Sequence, residues 1–151
     1  MAKIFIIYYS MYGHVKTMAQ KVKEGVDSVD GCEGILYQVP ETLPDEVLQK
    51  MGAPPKDPEV PIINAADLEK CDGILFGIPT RYGMAAAQMK AFWDTTGGLW
   101  QAGKLMGKPA GIFFSTAVQV GFVRYYMVDA IISFVFVTEF LSLFVMLRFR
   151  R

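Results

Sequence analysis

Ser10, Tyr12, Gly13 and Thr17 stand at the spacing Ser-x-Tyr-Gly-x-x-x-Thr, directly after an apolar run and at the opening of a helical pattern. Small and hydroxyl residues at such a junction let backbone N–H groups, side-chain oxygens and the positive end of a helix converge on one anion. A single phosphate fits. The loop holds no Lys or Arg, so many neutral donors would meet that phosphate in place of an ion pair. Nor does it hold Gly-x-Gly-x-x-Gly, so a dinucleotide pyrophosphate site is not supported. The run from Gly98 to Leu105 imitates a P-loop, but Leu105 stands where Ser or Thr must bind the metal. It is set aside.

The elements that must hold this loop can be read from the apolar pattern. Residues 3–9 form a continuous apolar, β-branched run, as expected of a strand covered on both faces. Val15, Met18, Ala19, Val22 and Val26 then follow at helical spacing. A second strand is expected over 34–39. The Pro-containing stretch 40–61 should hold a short helix over 45–51 and an extended loop over 53–58, where successive prolines exclude helix. A third strand over 73–78 is closed by Pro79, and a helix over 85–94 is stopped by residues 95–98. A fourth strand covers 110–116. Strands alternating with helices predict an α/β fold, a doubly wound parallel sheet with right-handed crossovers. Ligands of such sheets sit beyond the carboxyl ends of the strands, where strand order reverses. The loops to inspect are therefore 10–14, 79–83 and whatever follows Ser115.

With 151 residues the chain fits one domain. Fifteen Lys plus Arg balance fifteen Asp plus Glu, leaving no excess charge to hold a nucleic acid through counterion release. A one-electron carrier that docks through a strongly acidic surface is also disfavoured by the balanced charge. Cys32 and Cys71 belong to no CxxC or Cys/His cluster, which suits a reducing compartment and offers no metal site. The N-terminus runs from Met1 straight into a strand-like segment without a signal-peptide cleavage site, so a cytoplasmic protein is expected.

Four blocks carry a family resemblance: residues 8–14 (Tyr-Tyr-Ser-Met-Tyr-Gly-His), 39–42 (Val-Pro-Glu-Thr), 76–83 (Phe-Gly-Ile-Pro-Thr-Arg-Tyr-Gly) and 96–100 (Thr-Gly-Gly-Leu-Trp). In order and spacing they closely resemble the flavodoxin-like NAD(P)H:quinone oxidoreductases, the tryptophan-repressor-binding-protein family, in wording similar to plant or fungal members. The resemblance implies noncovalently bound FMN, a homotetramer with flavin sites near subunit contacts, and two-electron reduction of quinones with NAD(P)H as co-substrate. It assigns Ser10, Met11, Tyr12, Gly13, His14 and Val15 to the phosphate loop. Pro79, Thr80, Arg81, Tyr82 and Gly83 it places beside the isoalloxazine, where Arg81 could stabilise negative charge. Ser115 and Thr116 match the start of a third cofactor-binding segment. Tyr12 and Trp100 match positions near the nicotinamide and the quinone, where flat aromatic faces can sandwich a planar ligand. His14, the only histidine, is assigned to binding, and no catalytic acid or metal ligand is implied.

The resemblance covers residues 1–116, the expected FMN-binding domain, and stops there. All ten Lys and all eight Pro lie at or before residue 109, whereas six of the eleven Phe and four of the five Arg follow residue 120, so composition changes within the chain. In the family a Gly-rich loop, a ring-facing His, a fifth strand and a last helix come next. Residues 117–151 match none of these, and the sheet is expected to lack its normal last strand and helix. Three readings of this hydrophobic tail compete. It is an alternative or misread transcript end, a membrane anchor through 131–147, or a substitute strand or buried helix. Glu139 near the middle counts against the anchor, at an insertion cost of about 2–3 kcal/mol. Losing one wall of the flavin site predicts weak FMN binding and poor quinone reduction. The alternative function is a noncatalytic flavodoxin-like module, membrane-associated or assembling with intact subunits.

Overall fold

The computed structural model describes residues 1–116. Strand β1 (Ala2–Tyr8) leads into helix α1 (His14–Asp27) and strand β2 (Cys32–Gln38). Helix α2 (Asp45–Lys50) and a 3-10 turn (Ala65–Lys70) precede strand β3 (Gly73–Arg81). A two-residue strand β4 (Met84–Ala85), helices α3 (Ala87–Asp94) and α4 (Gly97–Gln101), and strand β5 (Ala110–Ser115) complete the described chain.

Four strands pair in parallel in the order β2-β1-β3-β5, and β4 runs antiparallel to the end of β3. This is the doubly wound, flavodoxin-like α/β sheet expected. β1 is central, with Ile6 opposite Leu36 on one side and Leu75 on the other. Successive side chains alternate between two cores. Phe5, Ile7 and Tyr9 pack with Phe76, Met89 and Phe92 on the α3 face, whereas Ile6 and Tyr8 pack with Val15, Met18, Ala19 and Phe113 against α1. Burial on both faces is why β1 reads as an unbroken apolar run. The chain leaves β1 toward β2 and returns to the other side as β3, so the loops after β1 and β3 diverge at the reversal point.

Pro79 does not close the third strand. The N–H of Ile74 points toward Pro109 on the β5 side, so by alternation residue 79 would donate on the β1 side, where pairing ends at Gly77. Its missing N–H removes no ladder bond. The strand runs on to Arg81 and folds back through Tyr82 and Gly83, whose φ values of 51° and 76° are both positive, as a type I′ hairpin requires. Residues 95–98 end one helix but do not return the chain to coil. The Thr95 and Thr96 hydroxyls donate to the Phe92 and Trp93 carbonyls, while the Thr96 carbonyl accepts from Leu99 and Trp100 and starts α4.

Lys108 fastens the other end of the sheet. Its ammonium donates to the carbonyls of Leu68, Glu69 and Cys71 at 3.1, 2.7 and 2.7 Å, tying the turn before β3 to the turn before β5. Lys108→Met keeps the stem and removes the donors, and should cost about 2 kcal/mol; urea unfolding checks it. The expectations for residues 117–151, including an anchor over 131–147 and the missing last strand and helix, lie outside the described residues.

Candidate functional site

The first loop ends at Gly13, the N-cap of α1, with φ 88°. No side chain caps this 14-residue helix and no acidic residue lies in its first turn, so its orphan N–H groups and positive end meet no carboxylate of the helix itself; Asp57 is held by Lys16 at 2.7 Å. Met11 and Val15 are buried in the core and can offer a ligand only their backbone. Ser10 is partly exposed, and Tyr12 and His14 are exposed. The Thr17 hydroxyl turns back onto the Gly13 carbonyl at 3.2 Å, so it serves the helix turn.

The second loop is the β3–β4 hairpin. Pro79 is buried and pairs with Ser115 of β5, so the sheet carries the second and third loops out side by side. Tyr9 donates its N–H to the Gly77 carbonyl, bringing the first loop alongside. Thr80 is partly exposed. Arg81 is exposed and donates to the Thr80 carbonyl at 3.0 Å. Tyr82 stands fully in solvent at the turn. The bond from Tyr9 to Gly77 sets the ends of β1 and β3, and so the loops that follow them, side by side. Thr116 follows β5 and is partly buried. Trp100 stands on α4, 63 % exposed, with its main chain bonded to Thr96 and Gly103; it belongs to a separate element from the loops.

The sequence reading missed a polar cluster beneath the first loop. Glu41 Oε1 accepts from Gln88 Nε2 at 2.7 Å and from the N–H groups of Thr42 and Leu43 at 2.9 and 3.2 Å. Its Oε2 accepts from the Tyr9 hydroxyl at 3.0 Å. Burial works to raise the Glu41 pKa, but these four bonds outweigh it and hold the carboxyl below its ordinary range. Burial and the neighbouring Glu41 charge push the Tyr9 phenol well up. The Lys56 ammonium lies 5.2 Å from the Tyr9 ring centroid and donates to the Val39 carbonyl at 2.9 Å; burial lowers its pKa, against the pull of Glu41. A cleft of about 430 Å³ opens here, lined among others by Ser10, Met11, Glu41, Leu48, Pro54 and Lys56. The signal in the sequence was the Val-Pro-Glu-Thr block, whose carboxylate had been given no task.

The sequence model of the family described as Flavodoxin matches residues 6–127. The chain belongs to the flavodoxin family. It is 60 % identical over 119 residues to a probable NAD(P)H dehydrogenase (quinone), FQR1-like 2, of Arabidopsis thaliana, covering 79 % of this chain and 44 % of that protein. It is likewise 60 % identical to the quinone-oxidoreductase QR2 of Triphysaria versicolor, covering 79 % and 58 %. An NAD(P)H dehydrogenase (quinone) of Geobacter sulfurreducens is 50 % identical over 121 residues, covering 78 % and 60 %. The chain thus spans about half the length of the curated relatives it matches. In fold, this flavodoxin-family chain is similar to a WrbA-like flavodoxin from Agrobacterium tumefaciens, with a TM-score of 0.68, 23 % identity and coverage of 96 % of this chain and 77 % of that one. A flavoprotein solved in complex with FMN from Lactobacillus acidophilus gives a TM-score of 0.62 at 23 % identity, covering 97 % and 93 %.

The described residues suit FMN. The α1 N-terminus is uncapped and free of first-turn acid, and a Cβ built on Gly13 would meet nothing within 4 Å, which leaves room for a group beside Gly13. Among the described residues no cluster of His, Cys, Asp or Glu could hold a metal ion, and no helix is long and apolar enough to cross a membrane.

Proposed function

We propose that this chain is the FMN-binding part of an NAD(P)H:quinone oxidoreductase, a cytoplasmic enzyme that reduces quinones by two electrons. The observation that carries the reading is the uncapped α1 N-terminus, reached from an end of β1 that is bonded to β3 just before its Tyr82–Gly83 hairpin, in a sequence 60 % identical to proteins named as quinone reductases. Bound there, FMN would supply hydride chemistry between a nicotinamide and a quinone.

The chain's own residues would orient the reactants. The Ser10 hydroxyl and the N–H groups of residues 11–15 bind the phosphate, with Gly13 holding the left-handed turn. Pro79, Thr80, Tyr82 and Gly83 shape the second wall, Ser115 and Thr116 begin the third, and Arg81 sets a positive charge beside the site. Tyr12 and Trp100, 50 % and 63 % exposed, offer flat faces to the nicotinamide and the quinone. In a homotetramer the exposed side chains of Trp100 and Met106 would be available for subunit contacts.

A second reading, a noncatalytic module that acts with intact subunits, draws on the chain spanning about half of its relatives' length. Purification of the full 151-residue chain, titration with FMN and turnover with NADH or NADPH and a simple quinone separate the two. Weak but saturable flavin binding with slow, measurable quinone reduction is the expected result, because residues 1–116 supply only part of the matched relatives' length. Flavin binding without turnover supports the second reading, and no uptake of FMN overturns the first.

A further inference from the structure

We propose that Glu41 is a positioning residue that couples the two loops of the candidate site, the first through Tyr9 and the second through Gln88. The proposal rests on the reading that these loops hold FMN, and names a residue that holds them together.

Tyr9 immediately precedes the first loop. It is 1 % exposed, its main chain is bonded to Gly77, and its ring lies beneath the Lys56 ammonium, so the direction of its hydroxyl is fixed. Gln88 lies in the first turn of α3, directly after the hairpin, and is 6 % exposed. One carboxylate accepts from both, and from the N–H groups of Thr42 and Leu43, which fix its own main chain. An ionised carboxylate only accepts, so four donors satisfy it without conflict. Moving either loop against the other breaks a charge-assisted bond and leaves a buried donor unpaired, so Glu41 adds a side-chain tie between the loops to the main-chain bond from Tyr9 to Gly77.

Hydrogen exchange of the ligand-free full chain tests the coupling without relying on flavin. Glu41→Ala should speed exchange by about tenfold at the bonded amides of the segments flanking both loops, Tyr9 and Thr17 around the first and Met89 and Lys90 after the second, the equivalent of one buried charged hydrogen bond. Tyr9→Phe should loosen the first segment alone and Gln88→Leu the second alone, which keeps the test sharp if Glu41→Ala does not fold. Glu41→Gln should restore part of the protection, because its carbonyl can take the three N–H donors while the Tyr9 O–H loses its acceptor. Lys108→Met, destabilised at the far end of the sheet, should leave both segments unchanged relative to global unfolding. Flavin fluorescence titration should show about tenfold weaker FMN binding for Glu41→Ala and a change within about twofold for Lys108→Met. Exchange that rises in only one segment or in neither for Glu41→Ala, or in both for Lys108→Met, overturns the proposal, even where FMN affinity falls. Absence of FMN binding by the unmodified chain overturns the functional reading alone, and the exchange pattern then decides the role of Glu41.

Discussion

Gly13→Ala is expected to weaken FMN binding by about tenfold while lowering unfolding stability by about 1–2 kcal/mol. The two effects share one cause. Gly13 sits at φ 88° as the N-cap of α1, a conformation that costs an L-residue because its Cβ crowds the backbone. A Cβ there would meet no neighbour within 4 Å, so no clash contributes and the penalty is conformational. Relief comes from turning the peptide toward negative φ, which swings the N–H groups around it away from a common focus. Gly13→Asn should recover much of the loss, since Asn tolerates the left-handed region. Fluorescence titration with FMN beside urea unfolding measures both quantities. Wild-type affinity in a measurably destabilised Gly13→Ala would remove the α1 N-terminus as the phosphate site.

Gly77→Ala acts through packing. A Cβ at this position would lie 2.5 and 2.6 Å from ring atoms of Phe113 and 2.9 Å from the Tyr8 Cβ. Phe113 and Tyr8 are each 2 % exposed and lie in the core against α1, so neither can move without disturbing that helix. The expected loss is about 3 kcal/mol, the upper part of the range for overpacked cores. Phe113→Leu should be destabilising alone yet partly rescue Gly77→Ala, giving a double-mutant cycle with favourable coupling. A loss below about 0.5 kcal/mol would show that the ring is freer than its burial implies.

Much of this architecture was legible because it follows from local rules. The apolar run of β1, the 3.6-residue period of α1 and the small-residue turn at residues 10–13 each bury or expose side chains by position along the chain, and alternation of the elements implies the parallel sheet. The hairpin is not legible from residue types, because a proline after an apolar run ordinarily signals a stop. Whether Pro79 costs a hydrogen bond depends on which neighbour its N–H would face, and that is known only once β1 is seen to end opposite Gly77. Trp100 was singled out by resemblance alone; its exposure on α4 depends on the Thr95–Thr96 link that continues the helix.

The sequence by itself determined the order of the main strands and helices, the loops proposed here as the ligand site and the family to which the chain belongs, since these depend on periodicity and on motifs a few residues long. Only the tertiary structure decided that Glu41, Tyr9 and Gln88 form one cluster, that Lys108 closes three carbonyls, and that Gly77 must lack a side chain. Each joins residues 32 to 47 positions apart in sequence, or about 40, or faces neighbouring strands. Such contacts carry no local period, because the sheet's pairing and register, and not distance along the chain, bring the groups together.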